Sequence, residues 1–174
     1  MDEITLRPIT RENWRATLAL GVRPEQQRFV AGYQPIALLL LAKAYIGPLG
    51  LRWEPYAIYH HIAHDETTGE QLIGLAELTR DPASDESVWL NHFFIDQRYQ
   101  GRGYGKRACA AFIQLVKTHY LQAQSLRLTV HPENSAAQAL YRSLGFVATG
   151  EELDGEPVYA LSLIHISEPT RQAE

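Results

Sequence analysis

Phe93–Ala108, FFIDQRYQGRGYGKRA, passes from an apolar, strand-like run through three alternating glycines into a helical pattern. Small residues at Gly101, Gly103 and Gly105 let successive backbone N–H groups point the same way, and a helix starting there adds the partial positive charge of its N-terminus. Gln100 to Gly105 therefore reads as an anion nest, with Arg102, Lys106 and Arg107 supplying formal charge beside it. A plain glycine-rich turn that caps a helix accounts for the same letters. Two other phosphate loops fit worse. Gly105-Lys106 is followed by Arg107 where a nucleotide-hydrolysing loop needs Ser or Thr, and the third glycine of a dinucleotide fingerprint is misplaced.

Downstream of the loop, Cys109, Phe112, Ile113, Val116 and Tyr120 recur on one side of a 3.6-residue period, the stripe of an amphipathic helix. Ser125 to Val130 is strand-like. Asn134 can then cap a short helix whose Ala137, Leu140, Tyr141 and Leu144 share a face before Gly145 closes it. Phe146 to Glu151 and Val158 to Leu163 flank Asp154-Gly155 as a hairpin. Upstream, Tyr56 to His60, Leu72 to Leu78 and Val88 to Ile95 alternate like strands and are separated by short polar turns, which suggests an antiparallel meander. Leu38 to Tyr45 is a helix broken by Gly47, Pro48 and Gly50. Before it, a strand from Ile4 to Ile9 leads to Thr10, which can cap a helix starting near Glu12, and Pro24 ends the connection after that helix. Seven strands and four helices in this order predict an α/β (α+β) fold: one mixed sheet with helices on both faces.

The 174 residues, 45% hydrophobic and 21% charged, are enough for one domain with a sizeable core. A formal net charge of -4 with scattered Lys and Arg offers no basic stripe for nucleic acid and suits a cationic small molecule better. The start MDEITLRPIT lacks a secretion signal, Cys109 is the only cysteine, and no apolar run reaches the roughly 18 residues of a membrane span, so a cytoplasmic protein is expected. Leu161 to Glu174, LSLIHISEPTRQAE, resembles a translated sequencing-library adapter. The domain is expected to cover 1–163, with 164–174 a non-native tail whose junction could lie as early as Leu161.

The glycine loop resembles the signature of the GCN5-related N-acetyltransferases (GNAT), Gln or Arg, two residues, Gly, any residue, then Gly or Ala, on Gln100, Gly103 and Gly105. The second hallmark of that family is matched by HPENSAAQALYRSLGF, with Asn134, Tyr141, Gly145 and Phe146 in order. LRPITRENWRATLALGVRPEQQRFVA and PYAIY are similar to the spermidine/spermine branch, from which the sequence departs at Asn91-His92 and in an insert around Ala42 to Trp53. The resemblance implies a mostly antiparallel seven-stranded sheet in which one parallel pair splays apart. Acetyl-CoA would enter the splay, against backbone groups of Phe93, Phe94 and Ile95, with its pyrophosphate on Gln100, Gly101, Arg102, Gly103, Tyr104, Gly105 and Lys106 and its arm bonded by Asn134. It further implies acetyl transfer by direct attack of an amine, no metal, and homodimers as a common state.

The attacking amine must be neutral, yet with a pKa near 10.4 only about one molecule in 10³ to 10⁴ is neutral at pH 7. Glu77, on the Leu72 to Leu78 strand, is the leading carboxylate to take the proton directly or through water, with Asp96 or a His as the other choices. An outward-facing strand residue is the plainer reading of Glu77. Tyr141 would donate a proton to the departing thiolate by family position, although its place on the apolar stripe also suits a core residue. Adjacent His60 and His61 point to opposite faces of a strand, so with His64 they do not make a metal site. Glu25, Glu54, Asp81, Asp85 and Glu86 are acidic candidates for acceptor specificity. A small polyamine-like amine is the favoured acceptor. A protein Nα-amine or lysine, an aminoglycoside, or a non-catalytic acyl-CoA-binding module are the alternatives.

Overall fold

The computed structural model describes residues 3–64 and 67–164; side chains are described throughout except at 63, 64, 67 and 68. The side chain of His64 and the adapter-like tail from residue 165 onward thus lie outside the described residues. One seven-stranded sheet organises the chain: β1 (Glu3–Pro8), β2 (Arg52–His64), β3 (Thr67–Asp81), β4 (Ser84–Ile95), β5 (Ser125–Thr129), β6 (Val147–Leu153) and β7 (Glu156–Ser162), in the order β1-β2-β3-β4-β5-β7-β6. Every neighbouring pair is antiparallel except β4 and β5.

Helices cover both faces, as the alternation of strand residues requires. Ile58, Leu78 and Leu90 turn towards α3 (Tyr104–His119), whose Ala108, Cys109, Phe112 and Val116 are buried against them. Ala57, Leu75 and Phe94 turn the other way, under Ile36, Ala37 and Leu40 of α2 (Ile36–Ile46). The last helix, α4 (Ser135–Ser143), joins the α3 cluster through Ala137, Leu140 and Tyr141.

Two local readings are corrected. The first helix, α1 (Trp14–Thr17), is a single turn that begins two residues later than Glu12. Thr10 Oγ1 accepts the Glu12 N–H at 3.3 Å, but Asn13 folds back on Pro8 and Thr10 and confines the segment to turns. Pro24 does not merely end a connection: it opens a 3-10 helix, Pro24–Phe29, in which the Arg23 N–H donates to Gln26 Oε1 at 3.2 Å. Proline tolerates the first helical position because that N–H has no intrahelical partner.

Two irregularities shape the middle of the sheet. Beyond Ser87–Trp89, which pair with Ser125–Arg127, β4 and β5 make no further ladder contacts. On its other side β4 bulges: Glu77 pairs with Asn91 and Leu75 with Phe94, so the two residues His92 and Phe93 stand opposite the single Ala76, and His92 takes a φ of 50°. The bulge brings the Phe94 carbonyl so close to Gly74 that a Cβ there would lie 2.4 Å from it, which only glycine permits.

Candidate active site

The splay between β4 and β5 opens into two cavities. The first, about 430 Å³, is lined by Phe93, Phe94 and Ile95, by Gln100, Gly101, Gly103, Tyr104, Gly105 and Lys106, and by Asn134 and Tyr141. Of the residues expected at a cofactor, Arg102 alone does not line it; that side chain is exposed beside the loop. Gly101 and Gly103 adopt φ of 77° and 78°, the left-handed region that glycine enters without a Cβ penalty, and Gly103 precedes the first residue of α3. The loop is held by Gln100, whose Nε2 donates to the Ile95 carbonyl and to Gln26 Oε1, both at 2.9 Å. Backbone N–H groups at a helix start, with Lys106 alongside, are features that suit an anion.

Gln26, Phe29 and Val30 also line this cavity. Sequence reasoning named Glu25 in this segment but none of these three residues, because Pro24 read as an end. A proline suited to a first helical position was the available signal for a helical turn.

The second cavity, about 310 Å³, occupies the gap itself, between Leu90 to Phe93 on one side and Thr129 to His131 on the other. Phe29, Val30, Phe93, Asn134, Ala137 and Tyr141 line both cavities, so the two meet at Tyr141 and Asn134. Asn134 caps α4, its Oδ1 accepting the Ala137 N–H at 3.2 Å. Tyr141 is buried, its ring edge-on to Phe146 with centroids 5.7 Å apart. Burial, with a smaller contribution from Cys109, raises its pKa and keeps the phenol protonated.

Glu77 is fully buried, with 0% exposure, so the outward-facing reading does not hold. It alternates with Ala76 and Leu78 of the α3 face and therefore points beneath α2. Neither carboxylate oxygen has a hydrogen-bond partner. Burial pushes its pKa up to about 8, against the pull of Lys43 on α2. His92 Nε2 lies 3.9 Å from Glu77 Oε2 and 2.8 Å from Lys43 Nζ, and burial followed by the Lys43 charge brings its pKa down to about 4. Lys43 Nζ also stands 4.5 Å from the centre of the Trp53 ring, and burial lowers its pKa despite Glu77. Glu77 lines neither cavity, whereas His92 lines the second. Sequence reasoning missed His92 and Lys43, since only the β4 bulge and the end of α2 bring them to Glu77.

Asp96, another choice for the base, is committed elsewhere. It accepts from Gly21 N–H at 2.9 Å, Arg98 N–H at 3.0 Å and Arg98 Nε at 2.6 Å; burial works to raise its pKa, but these bonds outweigh it and hold the carboxyl low. The five acidic specificity candidates do not converge on either cavity. Glu54 takes the Tyr120 hydroxyl, Asp85 pairs with Arg80 at 2.8 Å, Asp81 accepts the Ala83 N–H, Glu86 borders a separate depression, and Glu25 sits in the 3-10 helix. His60 is buried with its Nδ1 3.3 Å from the Tyr104 hydroxyl, while His61 faces Thr5 and Glu70. Among the described residues no three His, Cys, Asp or Glu side chains come together to hold a metal. No helix among them is long and apolar enough to cross a membrane.

Comparison with known proteins brings these observations together. The profile of the acetyltransferase (GNAT) family matches residues 35–146. A spermine/spermidine N(1)-acetyltransferase of Bacillus subtilis (strain 168) is 29% identical over 161 residues, 92% of this chain and 99% of that protein. Among solved structures, a spermidine N-acetyltransferase from Vibrio cholerae in complex with CoA and spermine superposes with a TM-score of 0.64 at 22% identity, covering 91% of this chain and 93% of that one. An acetyl transferase from Salmonella typhimurium that modifies the N-terminal serine of a 50S ribosomal subunit protein superposes with a TM-score of 0.66 at 15% identity, over 93% and 96%.

Proposed function

This chain belongs to the acetyltransferase (GNAT) family and is an N-acetyltransferase, and from that premise we propose that it moves the acetyl group of acetyl-CoA to a primary amine of a small cationic acceptor such as a polyamine. The observation that carries the proposal is the meeting of two cavities at Tyr141 and Asn134, one floored by the anion-binding loop and the other polar and open to the gap between β4 and β5. Acetyl-CoA suits the first: the loop N–H groups and Lys106 would hold its pyrophosphate, and Phe93, Phe94 and Ile95 offer backbone groups on the side that β5 has left. The full-length similarity to a spermine/spermidine enzyme supports the cationic acceptor.

Transfer in a ternary complex requires two protons to leave the acceptor nitrogen, one from the ammonium before attack and one as the amide forms, and one proton to reach the departing sulfur. Glu77 takes the first. Its pKa of about 8 leaves roughly one carboxyl in ten ionised at pH 7, and makes it a far stronger base than His92 near 4. Since Glu77 lines neither cavity, the proton reaches it by way of water or the His92 ring. The amine then attacks the thioester carbon; as the carbon–sulfur bond breaks, Tyr141, protonated and at the junction of the cavities, gives its proton to the thiolate and is restored by the second proton that the nitrogen sheds in becoming an amide.

The test is release of free thiol from acetyl-CoA over a panel of polyamines, amino acids, peptides and aminoglycosides, for the wild type and Tyr141→Phe. Polyamines should give the highest kcat/KM, and Tyr141→Phe should lower kcat by about 10²-fold or more with CoA affinity nearly unchanged. Preference for peptides or aminoglycosides would replace the acceptor. Tight CoA binding without thiol release for any amine would leave only an acyl-CoA-binding module.

A further inference from the structure

Glu156, the first residue of β7, lines the second cavity and has no ion pair or side-chain hydrogen bond among the described residues. It is also the one carboxylate lining that cavity among them. Its position follows from the sheet. Leu128 pairs with Tyr159 and Thr129 with Val158, and the same register continues through the Val130 N–H to the Pro157 carbonyl at 3.3 Å, so Glu156 falls opposite His131. Asn91 and His92 stand on the β4 side of the gap. The other charged side chain of the lining, Arg28 at the end of the 3-10 helix, pairs with Glu133 at 2.8 Å and lies over the Phe29 ring at 4.7 Å. Its charge is thereby already answered, and that of Glu156 is not.

A carboxylate without a partner at the edge of a polar cavity invites a cation. The near end of the acceptor must be a neutral amine where it meets Tyr141, so a charge recognised at Glu156 belongs to a different nitrogen of the same molecule. We propose that Glu156 is an acceptor-specificity residue, its carboxylate receiving the distal ammonium of a diamine or polyamine whose reacting nitrogen stands at Tyr141. The inference rests on the assignment of the second cavity to the acceptor and goes further, in requiring a second positive charge. A monoamine makes no such bond and leaves Glu156 as it found it, so the site selects by one charge-assisted hydrogen bond.

Calorimetric binding to the CoA-loaded protein tests this without turnover, using spermidine and n-pentylamine as probes. The wild type should bind spermidine at least about tenfold more tightly than n-pentylamine, the size of one charged hydrogen bond. Glu156→Gln should bring the two within about threefold, Glu156→Asp should keep most of the preference, and Glu152→Gln, an exposed charge on the same hairpin, should change neither affinity. Unaltered CoA affinity in each variant reports an intact fold. Equal affinities in the wild type, a preference that survives Glu156→Gln, or an equal loss in Glu152→Gln would overturn the role of Glu156. Absence of thiol release with any amine would instead count against the proposed reaction and leave this binding result standing.

Discussion

Glu77 is a carboxyl group that has lost its water without gaining a hydrogen bond, and pH should therefore act on it in two ways. Its folded pKa of about 8 stands above the ordinary carboxylate value, so the unfolded chain ionises first as pH rises. The stabilising contribution is complete at pH below about 4, falls by at most about 1.4 kcal/mol per pH unit between the two values, and is gone above about 8. Denaturant unfolding from pH 5 to 8 should show this decline in the wild type and a flatter profile in Glu77→Gln. Over the same range kcat should climb as Glu77 ionises, so activity and stability run in opposite directions. Glu77→Gln should lose that limb; a variant that keeps both the limb and the stability slope would assign them to another group. Sequence spacing located Glu77 on its strand but not its burial, because the covering residues come from α2, distant in sequence. Asn134 was legible as the cap of α4, whereas the apolar stripe alone made Tyr141 a core residue and only the family resemblance proposed it for the site.

At the scale of elements, short-range signals were read well and their departures were not. The stripe from Cys109 to Val116 announced α3, and Asn134 announced α4. The bulge that turns His92 towards Lys43 and Glu77 is a relation between two strands, and no period in β4 alone reports it. Nor did composition show that Pro24 begins a helical turn whose Gln26 braces the glycine loop through Gln100. Gly74 is where the bulge can be tested. Gly74→Ala drives a methyl group against the Phe94 carbonyl and should destabilise the fold by about 1–3 kcal/mol while weakening CoA binding, since Phe93, Phe94 and Ile95 must shift. Chemical denaturation and calorimetry read the two effects, and an unchanged CoA affinity would separate the bulge from the donor cavity.

For the whole molecule, the order of strands and helices was enough to foresee a mixed sheet covered on both faces, because each element carries its own apolar pattern. How far β4 and β5 diverge is set by tertiary packing, and with it the number and volume of the cavities. Under the proposed function, two cavities that meet at Tyr141 and Asn134 hold both substrates at once. A relay through an acyl-enzyme would need a nucleophile at that junction. The single cysteine, Cys109, is buried in the α3 core with its pKa pushed up to about 12, and it lines neither cavity. The measurement that tests the account most directly is the initial rate of thiol release with acetyl-CoA and spermidine varied against each other. Double-reciprocal lines that intersect are the predicted result of direct transfer in a ternary complex. Parallel lines, together with acetylated protein accumulating before the amine is added, would contradict it.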